Sequence, residues 1–262
     1  MRKYLEVFKI TLLSNTAYVY DLFFNSIFMV SVMFVFLQLW RTTYGVTGQS
    51  ILGGFTLSQM IWYLVMTETI VMSVPRLTTR LDQEIKAGDI AYSLARPYSY
   101  VGFQYALFLG EAGVRLLVNY VIGGGVAWLG TGALPAVGLP LLAQALVIFL
   151  AVSLLFLNQM ALGLLAFWAE DTRGFQLIYE RAMWILGGLL LPVQLFPPLL
   201  RGVAEVLPFR YAINAPAQLV VQFDARQFTG LVAHQAVWLA AFGLLVFALY
   251  RAGIRRVTVN GG

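Results

Sequence analysis

Glu68, Glu111 and Arg115 are the residues of this chain with most chemistry to offer, because each falls inside an apolar run long enough to be a membrane span. An unpaired charge near the middle of a bilayer costs roughly 2.5 to 3.5 kcal/mol on insertion scales, so each of the three needs a partner or water. Glu111 precedes Arg115 by four residues, the order that favours an intrahelical ion pair, and a structural membrane charge pair is the first expectation. A contact with substrate or a proton is the other. Glu68 is expected to reach basic groups near the inner end of its helix, or Arg115 on a neighbouring one.

Other catalytic constellations are missing. A phosphate-cradling loop needs Gly-Lys-Ser or Gly-Lys-Thr after a glycine-rich turn, whereas Lys3, Lys9 and Lys86 follow Arg2, Phe8 and Ile85. The lone His234 cannot supply an HExxH zinc helix, the absence of cysteine excludes thiolate metal sites and disulfides, and no Gly-x-Ser-x-Gly elbow occurs. The chain is therefore read as a non-enzyme with no catalytic residue, no metal site and no cofactor of its own. Transport, signalling or scaffolding remain.

The elements that carry these residues follow from composition. Of 262 residues 60% are hydrophobic and only 11% charged, against about 25% charged in a soluble domain. Six stretches approach the roughly 20 apolar residues that a bilayer demands: 22 to 40, 51 to 74, 101 to 129, 139 to 168, 182 to 200 and 229 to 250. The first starts too late and lacks the small-residue cleavage pattern of a signal peptide. Basic residues alternate between the connections. Arg2, Lys3 and Lys9, then Arg76, Arg80, Lys86 and Arg96, then Arg173 and Arg181, then Arg251, Arg255 and Arg256 fall on one side, while the other holds Arg41, Arg201, Arg210 and Arg226. The positive-inside rule makes the first side cytoplasmic and puts both termini there. The net charge of +5 is accounted for by this topology, without nucleic acid.

Three segments are expected not to span. Residues 2 to 13 set Tyr4, Leu5, Phe8 and Leu12 against Arg2, Lys3, Glu6 and Lys9, an interfacial helix on the inner leaflet. Between Pro75 and Pro97, Leu77, Leu81 and Ile85 recur every four residues among charges, which predicts a short amphipathic helix closed by Gly88 and followed by a second helix opened by Asp89. Such a loop offers a surface to a cytoplasmic partner or lies on headgroups. The outer stretch from Leu191 to Phe228 holds five of the nine prolines, interleaved with apolar residues. Two short helices dipping into the outer leaflet, or one lying flat on it, fit that composition.

In order and placement these segments resemble the permeases of ABC-2 type exporters. The resemblance rests on Glu84-Ile85-Lys86-Ala87-Gly88-Asp89-Ile90 and Leu94-Ala95-Arg96-Pro97 for the coupling segment, and on Pro192, Phe196-Pro197, Leu207-Pro208-Phe209 and Pro216 for the outer region. It implies an all-α integral membrane protein forming a single permease domain over 1–262. Its parts would be six transmembrane helices, an elbow helix (1–19), a cytoplasmic coupling helix between spans two and three (75–98) and re-entrant helices between spans five and six (192–228). It also implies a separate ABC ATPase subunit carrying ATP and Mg, and a second permease, identical or related, in a dimer within a prokaryotic plasma membrane. Glu84, Ile85, Lys86, Gly88 and Asp89 would contact the ATPase, and Pro192, Pro197, Pro208 and Phe209 would form an outer gate region. The second and fifth spans would line the substrate path through Phe55, Gln59, Trp62 and Met66, with Met183 and Trp184. That wall suits a hydrophobic or amphipathic substrate. The competing readings are an ion-coupled secondary transporter or channel using Glu68, Glu111 and Arg115, and a non-transporting scaffold.

Overall fold

The computed structural model describes residues 2–17, 19–134 and 140–257, with side chains for 3–14, 27–134 and 141–256. The connection from Gly130 to Gly138, which holds no charged residue, lies partly outside the described residues, as does the side chain of Arg2. All regular elements described are helices. In chain order they are α1 (Arg2–Ala17), α2 (Val19–Thr47), α3 (Leu57–Met72), α4 (Leu77–Lys86), α5 (Ile90–Leu94), α6 (Tyr100–Thr131) and α7 (Pro140–Leu164). There follow α8 (Arg173–Leu186), α9 (Pro198–Val206), α10 (Pro208–Ala212), α11 (Asn214–Val221) and α12 (Ala225–Val257).

Among the described residues, five helical stretches are long and apolar enough to cross a bilayer: Ile27–Thr47, Leu57–Lys86, Tyr100–Thr131, Leu141–Phe167 and Ala225–Arg256. The second is interrupted between α3 and α4, because Pro75 has no N–H to donate and disfavours helical geometry at Val74. α3 is the central post. Its start is fixed by a capping box between Thr56 and Gln59, and 67% of the apolar window in its stretch is buried, against 17% for that of α12. Trp62, Tyr63 and Met66 pack with Met29 and Met33 of α2 and Ala127 of α6 in one core cluster. A second cluster joins Leu77 and Leu81 of α4 to Phe108 of α6 and Phe156 and Met160 of α7.

The expected fifth span, 182 to 200, is not one helix. α8 has 14 residues, about 21 Å at 1.5 Å per residue, which falls short of the roughly 30 Å hydrocarbon core. It stops at Gly187-Gly188, where Gly188 takes a φ of +76°. The carbonyls freed by this break find partners on α3: the Tyr63 hydroxyl donates to Gly188 O, and the Thr67 hydroxyl donates to Leu189 O at 3.0 Å. The chain continues without regular α-helix until Leu195 packs on Gly53 in the loop before α3. The run of apolar residues hides this break.

The proline-rich stretch does fold into short helices. Pro198 and Pro208 sit in the first turns of α9 and α10, where a missing N–H costs nothing. α10 packs on α7, α8 and α12, and α11 returns along α3 and α7. The Asn214 amide donates to Tyr63 Oη at 2.8 Å, and the Gln222 amide reaches Gly54 O at 2.6 Å.

α1 also departs from expectation. It lies lengthwise on α6 and runs in the same direction, since Tyr4 meets Gly102 while Thr11 and the Phe8 carbonyl meet Gly110. Gly102, Ala106 and Gly110 recur every four residues, a groove of small side chains that lets the two backbones approach closely. Lys3 Nζ donates to Pro97 O at 2.6 Å, and the Ser99 N–H donates to Tyr4 Oη at 2.9 Å.

Candidate functional site

The α4–α5 loop has an inner face that is fastened at many points. Leu77 and Leu81 are fully buried, and Leu81 rests on Gly163 of α7. Thr78 bonds through its N–H and hydroxyl to Gln159 at 3.1–3.4 Å. Arg80 donates to Glu111 of α6 at 2.8 Å, and the Tyr100 hydroxyl donates to the Glu84 carboxylate, beside the Gln104 amide at 3.4 Å. The Thr172 hydroxyl, in the connection from α7 to α8, donates to Asp82 at 2.7 Å, and Lys86 pairs with Asp82 at 2.8 Å.

Two expectations are corrected here. Glu111 is bonded to Arg80 and not to Arg115; among the described residues Arg115 makes no ion pair. Glu84 and Ile85, expected as outward contacts, turn inward, Ile85 packing against the buried cluster. The spacing explains this, because 77, 81, 84 and 85 lie on one helical face. Lys86, Gly88 and Asp89 are exposed, with Gln83 and Ala87 beside them. Gly88 closes α4 at φ +79°, its N–H donating to Ile85 O at 3.2 Å. Asp89 precedes α5 without capping it through its side chain. The residue missed from the sequence is Tyr92, 76% exposed at the rim of this surface.

The second feature is a cleft of about 860 Å³ between α2, α3 and α8. Phe28, Val32 and Phe36 of α2 form one wall, Glu68, Val71 and Met72 of α3 the back, and Met183 and Trp184 of α8 the other wall, with Arg76, Glu180 and Arg181 lining it as well. Glu68 is 5% exposed and makes no hydrogen bond or ion pair among the described residues. It pairs neither with Arg115 nor with a basic group at the helix end. The Arg181 guanidinium lies over the Trp184 ring, 4.3 Å from its centroid, and the Gln176 amide donates to Glu180 at 3.0 Å.

The six residues expected as one substrate wall do not come together. Phe55 packs on Tyr63 inside the core, Gln59 caps α3 and faces the Gln222 amide at 3.2 Å, and Trp62 donates to Ala133 O at 2.9 Å. Met66 borders a separate cleft of about 350 Å³ with Tyr120 and Val220. Only Met183 and Trp184 line the 860 Å³ cleft. Glu68 follows Trp62 by six residues, about 240° round the helix, so the aromatic stripe and the cleft belong to different faces of α3. Of the outer residues, Pro192 precedes the 3-10 turn Val193–Leu195, Pro197 precedes α9, and Pro208 and Phe209 are buried. Phe209 meets the Tyr179 ring edge-on at 5.3 Å.

An all-helical chain whose described residues hold five stretches long and apolar enough to cross a bilayer is built as a membrane protein. The family model described as ABC-2 family transporter protein matches residues 27–261. The chain belongs to that family, whose members are membrane transport subunits. No curated protein matched it significantly.

Proposed function

We propose that this chain is the permease subunit of an ATP-driven exporter in a prokaryotic plasma membrane. It moves a hydrophobic or amphipathic substrate out of the cytoplasm while a separate ABC ATPase subunit supplies ATP hydrolysis. In this reading α8 and the chain that follows it to the 3-10 turn Val193–Leu195 together make a sixth crossing, both termini are cytoplasmic, and α10–α11 dip back from the outer side as a gate. A second permease, identical or related, closes the α2–α8 side of the cleft. The observation that carries the reading is the α4–α5 loop, fixed to three parts of the bundle on one face and free on the other. A surface built that way turns the push of a docked partner into movement of α6, α7 and α8 at once, which an ion-driven carrier does not need.

The test uses Asp89→Lys and Ala87→Glu, two exposed positions in ordinary backbone geometry with no side-chain hydrogen bond or ion pair to lose among the described residues. Each should leave the permease inserted and reduce co-purification of its ATPase several-fold, with a parallel fall in permease-dependent hydrolysis. Unchanged co-purification and hydrolysis in both variants, or substrate movement by this chain alone under an imposed ion gradient, would sink the proposal.

A further inference from the structure

The cleft between α2, α3 and α8 has one buried charged group without a partner among the described residues. Of the charged residues lining it, Arg181 is stacked on Trp184 and Glu180 already accepts from the Gln176 amide. Arg76 is exposed at the start of α4. Glu68 remains, 5% exposed, facing the cleft with no partner among the described residues. Around it the walls are apolar and aromatic, through Phe28, Val32, Phe36 and Met72.

We infer that Glu68 selects an amphipathic cation: a molecule whose apolar body fills the cleft and whose positively charged group pairs with this carboxylate. This deepens the transport reading above and rests on it for the direction of movement. Three points of physics support it. A carboxylate at this depth is costly until a positive group approaches, so a cationic ligand gains what the empty site lacks. An anionic amphiphile meets like charge at the back wall and is disfavoured by the same contact. A volume of about 860 Å³ is far larger than a bare metal ion or proton site needs and falls in the range of drug-sized ligands. In addition, the Arg181 cation seated on the Trp184 ring shows that the walls accept delocalised positive charge.

Tetraphenylphosphonium and tetraphenylborate, close in size and shape and opposite in charge, are the probes. Binding of each to the full chain in lipid nanodiscs is compared for the wild type, Glu68→Gln and Glu68→Asp. The wild type should prefer the phosphonium at least about tenfold, Glu68→Gln should lose about tenfold of phosphonium affinity while still binding the borate, and Glu68→Asp should recover part of the preference. Retained borate binding reports an intact cleft in the Gln variant. Equal affinity of the wild type for both ions, or full phosphonium preference in Glu68→Gln, overturns the inference. The same proteins assayed with the partner ATPase separate the two readings. ATP-driven movement of neutral amphiphiles without charge preference defeats this inference alone, and Glu68-dependent preference without ATP-driven movement defeats the transport reading alone.

Discussion

Among the described residues two clefts of similar size can be set side by side, one charged and one not. The α2–α3–α8 cleft, about 860 Å³, has Glu68, Arg76, Glu180 and Arg181 among its lining residues. The groove between α1, α6 and α7, about 790 Å³, is lined by Tyr4, Leu5, Phe8, Leu109, Phe149 and other uncharged side chains. Volume does not tell them apart, and both would accept an acyl chain. What separates them is that a charge held in an apolar setting calls for a partner. In the groove nothing demands a ligand, because the Tyr105 and Ser153 hydroxyls bond each other at 2.7 Å. In the cleft Glu68 does.

The largest effect should come from filling each space in turn. Val32→Trp narrows the charged cleft and is expected to cut ATP-driven transport in proteoliposomes at least about tenfold, while Ala145→Trp, which fills the groove, changes it less than about twofold. Equal losses in the two variants would erase the distinction between the clefts.

The next effect tests how α6, a wall of the uncharged groove, is tied to α4. Arg80→Ala leaves Glu111 without its partner in a half-buried site, Arg80 being 32% and Glu111 17% exposed, and should cost about 2 kcal/mol of stability. Adding Glu111→Ala should return most of that, and Arg115→Ala should shift stability by less than about 0.5 kcal/mol. Thermal unfolding in detergent reads all three. A larger loss for Arg115→Ala than for Arg80→Ala would restore the intrahelical pair.

The smallest effect on the chain itself belongs to Tyr92→Ala. The side chain is 76% exposed, so unfolding should move by no more than about 0.5 kcal/mol, whereas binding of the ATPase should weaken several-fold if this aromatic anchors the partner. Titration of purified ATPase onto the variant measures it.

Legibility from sequence follows the range of the interactions. Leu77, Leu81 and Ile85 announce α4 and its buried face, Gly88 its end, and the prolines the starts of α9 and α10, because periodicity and backbone chemistry are local. Glu84 is the exception, a charge that a surface reading sends outward although the same periodicity turns it in. Glu111 is misassigned because the i,i+4 rule ranks neighbours on one helix and is silent about Arg80, 31 residues away. The fifth span is overextended because hydropathy averages over Gly187-Gly188 and does not see that α3 hydroxyls take the carbonyls the break sets free. In the cleft, Glu68 stands out by its charge, while Phe28, Val32 and Phe36 cannot be told from any other apolar residues of α2.

The packing of α1 on α6 also sets an order of assembly. The groove of Gly102, Ala106 and Gly110 is made only after α1 has left the ribosome, and the contact from Lys3 to Pro97 closes a loop of 94 residues. At about 5 to 20 residues per second, synthesis separates the two by about 5 to 20 s. During that interval Tyr4 and Phe8 have no α6 to pack on, and the membrane surface is the apolar phase within reach. An interfacial resting place for residues 2 to 13 would thus belong to the nascent chain, before the helix that receives α1 has been inserted.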